Sequence, residues 1–378
     1  MIEYIEIRNQ QRELIGIIDT AQSVIWHATY YGVGDFEIYC RATSDVLALL
    51  KEDYYITLPD DENIGLIESV IISDDPLNGR MVTASGHFAK IILQRRHIYN
   101  LSAGNYSNKV TVLRGNVEQA VRGVVRDNII ACNWNTRRNI DFIVLGEYAE
   151  TEEIIIDDSG DPAEKQVSYD NLLDYTDSVL MEYFLGSKML LDAPTKKLKY
   201  LIYKGADRSI DNADGNQPII FSRDFDNLAT ETYSLDKSMY KNMAIIGGAG
   251  EGAERFYTIT GEYAEGVNRF ETFVDARSIS KTYTDDETGE DVTYTDAEYA
   301  QILKSEGKQT IAAAAAVESL SGELDLTLSP YIYGKHFLLG DIVTVESVDF
   351  KRYINARITD VTQVQDENGY TLSVSYEN

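Results

Sequence analysis

The period of the hydrophobic pattern constrains this chain more than any single motif, because it changes repeatedly along the sequence. In Phe36-Glu37-Ile38-Tyr39-Cys40 the side chains of Phe36, Ile38 and Cys40 alternate with Glu37 and Tyr39. Such a segment buries one face and leaves the other wet. The first hundred residues are built this way, as short segments broken by polar turns: Ile2–Ile7, Leu14–Ile18, Val24–Tyr31, Asp35–Cys40, Tyr54–Leu58, Leu66–Ile72, Met81–Ala84 and Ile91–Ile98. Their spacing predicts strands of a sandwich or barrel, with one short helix at Asp45–Leu50.

From Arg114 the period becomes helical. Val117, Ala120, Val121, Val124, Val125 and Ile129 form one apolar stripe, and Leu172, Leu173, Thr176, Val179, Leu180, Tyr183 and Phe184 form another that is expected to end at Gly186. Strand Asp141–Leu145 lies between them. Strands return at Leu198–Tyr203, Ile219–Phe221, Ala244–Ile246, Arg255–Thr260 and Arg269–Val274, followed by a hairpin with arms Lys281–Thr284 and Val292–Thr295 around an acidic tip, Asp285–Asp291. Thr295 and Glu298 have capping-box spacing and open a long helix that Gly307 is expected to interrupt. The chain closes with strands Glu323–Leu328, Asp341–Val345, Tyr353–Val364 and Tyr370–Tyr376, the last two joined through Asp366-Glu367-Asn368-Gly369. This order predicts a β-rich α+β fold of two β units, each carrying an α-containing insert, in preference to a regularly alternating α/β sheet.

Composition narrows the function. Against 34 Lys and Arg stand 62 Asp and Glu, a formal charge of -28 over 378 residues. A surface this acidic repels phosphate, which disfavours nucleic acid or anionic membrane as a main partner. Arg95-Arg96, Arg137-Arg138 and Lys196–Lys199 read as solvated strand ends. The 26 Tyr and only 6 Pro suit pleated surfaces better than flexible linkers. The longest apolar run, Ile311–Val317, is seven residues, far short of the roughly 20 that span a bilayer. Met1 leads into Ile2-Glu3-Tyr4 without a basic leader or apolar signal core, so synthesis in the cytosol is expected. Cys40 and Cys132 are the only cysteines and read as buried free thiols, with one disulfide as the alternative.

No motif requires enzymatic chemistry. Gly248, Gly250 and Ala253 satisfy a dinucleotide-type G-x-G-x-x-A, but Arg255-Phe256-Tyr257-Thr258-Ile259-Thr260 continues as a strand, so no helix amides point at a phosphate. Glu251 and Glu254 would also repel it, and a glycine-rich loop between strands is the preferred reading. Acidic clusters at Asp157–Asp161, Asp211–Asn216 and Asp285–Asp291 lack the EF-hand spacing and read as solvated turns. His27, His87, His97 and His336 are scattered, so no local zinc motif exists. Neither a G-x-S-x-G elbow nor an H-E-x-x-H helix is present, and carboxylates are too abundant for any pair to stand out. Tyr30-Tyr31, Tyr54-Tyr55 and Tyr331-Ile332-Tyr333 could stack sugars, but cross-strand packing or interface anchoring is preferred. No catalytic residue, metal or cofactor is expected.

Several segments, in order, resemble the siphovirus ReqiPepy6 Gp37-like family of tail proteins. They are Ile25-Trp26-His27, Gly34-Asp35-Phe36-Glu37-Ile38, Tyr203-Lys204-Gly205-Ala206-Asp207-Arg208-Ser209, Ile220-Phe221-Ser222, Asn227-Leu228, Tyr240-Lys241-Asn242, Gly247–Gly252 with Arg255, and Leu339-Gly340-Asp341-Ile342-Val343. The resemblance implies a baseplate-hub fold with two barrel-like β domains, assembled as a homotrimer with pseudo-sixfold symmetry. The boundaries expected are a first barrel-like domain at 1–105 completed by strands within 196–235, and an α/β insert with two helices at 106–195. A second barrel-like domain follows at 236–292, with a helical insert at 293–322 and completing strands at 323–378.

The implied function is structural: a tail hub at the distal end of a long non-contractile phage or prophage-derived tail. The implied partners are the distal tail protein, the tape-measure protein and receptor-binding or tail-fibre proteins. Membrane binding and specific nucleic-acid binding are not expected. A negative inner wall would let DNA pass without sticking. Asp207, Arg208, Asn242, Gly248, Gly250, Arg255, Gly340 and Asp341 are expected to be structural, with Asp207 and Arg208 as a charge pair. The sequence stops at Asn378 after a strand, so no lytic extension is expected. The alternatives are a tail-associated cell-wall hydrolase and a host-carbohydrate-binding module.

Overall fold

The computed structural model describes residues 2–59, 61–76, 79–99, 101–102, 105–106, 111–149, 154–156, 164–284, 290–315, 317–323, 329–347 and 351–377. The acidic cluster at Asp157–Asp161, most of the hairpin tip at Asp285–Asp291, and all but the first residue of the expected strand Glu323–Leu328 lie outside the described residues.

One long sheet dominates. Its hydrogen-bonded order runs Leu14–Ile18, Ile5–Arg8, Tyr55–Thr57, Ile64–Asp75, Gly79–Phe88, Asp35–Arg41, Ala21–Thr29, Arg352–Asp366, Gly369–Glu377, Val317–Glu323 and Thr232–Asp236. Ile342–Ser347 branches from Arg352–Asp366 and carries Asp207–Arg208 and Ile220–Ser222 as short parallel neighbours. The β-rich class expected from the alternation is therefore present, but two closed barrels are not: among the described residues the pairing never returns to its start. The reason lies in the strand Arg352–Asp366, which spans 15 residues and serves both β units. Residues 352–357 pair with Ile342–Ser347, while Asp360–Gln365 pair with residues 24–29 of the first unit. A register shift between Ile358 and Asp360 marks the changeover.

The strand Lys197–Tyr203 joins neither half of this sheet. It pairs antiparallel with Gly186–Asp192 and parallel with Ile143–Leu145 in a sheet of the insert. A further three-stranded sheet places Met243–Gly247 between Tyr257–Gly261 and Glu271–Asp275.

Four apolar clusters fill these layers. Trp26, Phe36, Ile38 and Ile67 centre the first, and Phe221, Phe337, Val343 and Tyr376 the second. The insert packs its two helices over the third, and the helix near the end of the chain covers the fourth.

The helices explain themselves locally. α1 (Ser44–Leu49) is capped by Thr43. α2 (Val117–Val125) is capped by Asn116 and runs into a π turn, Arg126–Ile130, which keeps Ile129 buried. α3 (Leu172–Glu182) is capped by Asn171. α4 (Asp296–Ala313) carries the capping box of Thr295 and Glu298 in full.

Three local expectations fail for identifiable reasons. Gly307 does not interrupt α4; a Cβ there would meet Thr260 and Ile246, so the glycine allows the helix to approach its sheet. Phe184, not Gly186, takes the left-handed conformation after α3, at φ 56°. Gly186 starts a strand instead, and the Tyr30 ring occupies the space a Cβ would need. Ile91–Ile98 is not a strand: Ala89–Arg95 forms a 3-10 helix that buries Ala89, Ile92 and Leu93, an ambiguity inherent in short apolar runs. Both cysteines are buried free thiols.

Candidate functional site

The eight residues singled out in the sequence gather in two places. The first lies where the N-terminal β unit, the insert and the C-terminal β unit meet. Asp341 is 2 % exposed and accepts three hydrogen bonds: from the Ala206 amide at 2.8 Å, the Leu338 amide at 3.0 Å and Arg208 Nε at 2.8 Å. A buried carboxylate persists when its lone pairs are satisfied and a counter-charge is present. Arg208 thus pairs with Asp341, while Asp207 accepts from the Ser209 amide in its own turn. Gly340, at φ +93°, lets the chain reverse before Asp341, and a Cβ on Gly205 would collide with the Gly340 carbonyl.

Tyr30 stands at the centre of this junction and was not identified as such from sequence. Its ring is fully buried and packs where side chains at Gly186 and Gly340 would sit. Its hydroxyl lies 3.0 Å from the Phe184 carbonyl and 3.2 Å from that of Tyr203. Arg357 lies over the same ring, 5.3 Å from its centroid, and donates to the Gly340 carbonyl at 2.6 Å. One residue of the first unit therefore touches both others. The only local hint was the Tyr30-Tyr31 doublet, which does not distinguish a junction from ordinary packing.

Beside this junction opens a cleft of about 530 Å³ that includes Arg208, Asp341, Tyr203, Lys90 and Lys188. Two of its lysines are engaged: Lys90 Nζ donates to Asp177 and Ser187, and Lys188 Nζ to Glu62. Burial pushes the Tyr203 hydroxyl well above its ordinary range, so it stays neutral.

His27 fastens the seam between the two β units. Its Nδ1 lies 2.9 Å from Asp35 on the neighbouring strand, and its Nε2 lies 3.1 Å from Asp360 on the strand shared with the C-terminal unit. The hydrogen bond to Asp360 dominates, burial opposes it and Asp35 adds to it, raising the imidazole from 6.5 to about 9. Burial pushes the Asp360 carboxyl up, but hydrogen bonds led by His27 outweigh it and leave that carboxyl below its usual range.

The second gathering is the glycine-rich loop. Arg255 reaches back across it, with Nε 3.1 Å from the Gly248 carbonyl and Nη2 2.7 Å from that of Gly247, and pairs with Asp275. A Cβ on Gly248 would press on Tyr299 and Leu303 of α4, and Gly250 adopts φ +101°. The Ala249 amide donates to the Tyr299 hydroxyl at 2.8 Å, and that hydroxyl donates to the Ile279 carbonyl at 2.7 Å. Asn242 bridges to the next turn, donating to the Asn268 carbonyl and accepting from the Phe270 amide. After the loop comes a three-residue turn, Gly252–Glu254, and then a strand. The loop thus leads into a strand, and among the described residues it opens no α-helix.

The siphovirus ReqiPepy6 Gp37-like protein family matches residues 4–376. The chain belongs to that family. No curated protein is significantly similar in sequence. Solved structures share this family member's fold from end to end. The 43 kDa tail protein of prophage MuSo2 from Shewanella oneidensis matches with a TM-score of 0.57 at 11 % identity, covering 99 % of this chain and 98 % of that one. A tail protein from Neisseria meningitidis MC58 gives 0.56 at 11 % identity, over 99 % and 96 % of the two chains. The prophage tail protein gp18 from Listeria monocytogenes EGD-e gives 0.50 at 10 % identity, over 98 % and 94 %.

Proposed function

We propose that this protein is a structural virion component: a trimeric hub at the distal end of a long, non-contractile phage or prophage-derived tail. In this reading it closes the tail tube and joins it to the tail tip. Its neighbours are the distal tail protein, the tape-measure protein and the receptor-binding or fibre proteins. It works through shape and interfaces and not through bond chemistry, and DNA passes it without specific binding. Within the trimer, the β strands before residue 106 and those after 235 supply two β domains per chain, with 106–195 and 293–322 as inserts. The eight family-motif residues hold this framework together.

Family membership and the end-to-end likeness to tail proteins support the tail role. The observation that carries assembly is the open sheet. Among the described residues, its terminal strand Leu14–Ile18 pairs on one side only, with Ile5–Arg8. Leu14, Ile15 and Ile17 on that strand are 52 %, 41 % and 52 % exposed, with no charged residue among them. An apolar edge of this kind invites further strand pairing unless a neighbour covers it, and a closed ring of identical chains does so without leaving a free end.

Light scattering on the purified chain and on the double variant Ile15→Lys/Ile17→Lys tests the reading. The parent is expected to assemble as a trimer, alone or with its tail partners, and the variant to remain a folded monomer. A parent that stays monomeric with those partners contradicts it. A lysis band in a cell-wall zymogram, abolished by one Asp or Glu substitution, would assign the hydrolase function instead.

One observation favours a second reading, host-carbohydrate binding. A cleft of about 660 Å³ is lined by Tyr4, Tyr331, Tyr333 and Tyr370 beside Asp61 and Gln363. Glycan-array binding lost on Tyr331→Ala would support it.

A further inference from the structure

A second polar cleft, of about 540 Å³, lies between α3 and α4. Asp170, Asp174, Tyr175, Ser178, Glu306 and Gln309 line it, and the Gln309 amide bridges the two helices by donating to Ser178 Oγ. Its charges do not balance. Lys165 is fully buried and already bound to Glu182 at 2.8 Å. It is also the positive charge that acts on Glu306, while Glu182 and Asp170 repel that carboxylate. Among the described residues the Glu306 carboxylate accepts no hydrogen bond and forms no ion pair, and burial pushes its carboxyl up.

The second observation is independent of charge. Tyr175 is 8 % exposed, and its buried hydroxyl has no hydrogen-bond partner. Burial keeps that hydroxyl neutral, with Glu306 and Asp170 acting in the same direction. Buried tyrosine hydroxyls are ordinarily partnered. This one lies in the wall of a cleft with space for a ligand, near Glu306, which also lacks a hydrogen-bond partner, and near Asp170, whose carboxylate accepts from the Ser168 backbone.

The chemistry selects the ligand. Carboxylates, a phenol and an amide offer acceptors to a group rich in N–H bonds and positive charge. Among the described residues no three His, Cys, Asp or Glu side chains converge tightly enough to hold a metal ion. We propose that this cleft binds an organic cation, an ammonium or guanidinium group, with Glu306 and Asp170 as counter-charges and the Tyr175 hydroxyl as an orienting partner. The site requires neither trimer formation nor a tail, so it stands or falls separately from the hub reading.

Calorimetric titration of the full chain with n-butylguanidinium and n-butylammonium tests it. Saturable binding is expected, weakened about tenfold by Glu306→Gln and severalfold by Tyr175→Phe. Without ligand, Glu306→Gln should raise Tm by about 2 °C, because it removes an unpaired half-buried charge; this also shows that the variant folds. Comparing spermidine with a short peptide carrying one Arg separates the sources: tighter peptide binding assigns the site to a basic side chain, and tighter spermidine binding to a free polyamine. No saturable binding of either butyl probe at about 50 mM overturns the proposal. So does binding indifferent to Glu306→Gln, or a lowered Tm in that variant, which would make Glu306 a structural partner of Lys165.

Discussion

Removing the Asp341 carboxylate is the sharpest perturbation of the junction. Asp341 is 3 % exposed at its side chain and satisfies two backbone amides and one guanidinium, while Arg208 is 25 % exposed. In Asp341→Ala the Ala206 and Leu338 amides lose their acceptor in a place water reaches poorly. Arg208 can rehydrate in part. Hydrogen bonds to a charged group contribute about 1.5–3 kcal/mol each, and breaking one partner of a buried pair costs about 3–5 kcal/mol, so a loss near the middle of that range is expected. Asp341→Asn keeps the shape and one acceptor and should cost about 1–2 kcal/mol. Urea unfolding followed by tryptophan fluorescence reads this directly, since Trp26 lies in the core of the first unit. The midpoint should fall with little change in slope. A double-mutant cycle with Arg208→Ala should return a coupling of about 1–2 kcal/mol. If Asp341→Ala unfolds within about 1 kcal/mol of the parent, or the coupling is zero, Asp341 does not weld the two loops.

Three further perturbations probe the remaining contacts. The His27 imidazole is raised from 6.5 to about 9, so its contribution is complete below pH 6.5 and is lost as pH rises through 9. With the ring 31 % and Asp35 51 % exposed, solvent screening reduces that contribution to about 1–2 kcal/mol. Unfolding measured at pH 6 and at pH 10 should show this loss in the parent and not in His27→Gln. Gly248→Ala drives a methyl group against Tyr299 and Leu303, and should cost about 1–3 kcal/mol in thermal unfolding while Gly252→Ala, where a Cβ meets nothing, mainly pays for its left-handed φ. Tyr30→Phe leaves the packing intact but strips the hydroxyl facing two carbonyls, and a stability loss of about 1–2 kcal/mol by denaturant titration is expected; no change would mean that the hydroxyl is not part of the joint.

What could be read from sequence was local. The capping box at Thr295 and Glu298, the stripes of α2 and α3 and the alternation in Asp35–Arg41 depend on residues a few positions apart, and each formed where periodicity put it. The failures depend on long-range partners. Gly307 and Gly186 look like breakers until Thr260, Ile246 and Tyr30 are seen packed against them. Arg208 lies 133 residues from Asp341, so its true partner was hidden although both residues had been singled out. The shared strand Arg352–Asp366 has the same origin: alternation shows that a segment pairs, but not that its two halves pair with different units. In the glycine-rich loop the strand following Arg255 was legible, whereas the reach of Arg255 back to Gly247 and Gly248 was not.

The central claim is that this chain acts as one third of a tail-tip ring. Cryo-electron microscopy of tail particles carrying it tests that claim most directly. The account predicts threefold density at the distal end that accommodates three copies of the 42.5 kDa chain, with Leu14–Ile18 covered at the boundary between copies. Particles that lack the chain at that end, or hold it as single copies with Leu14–Ile18 open to solvent, would contradict it.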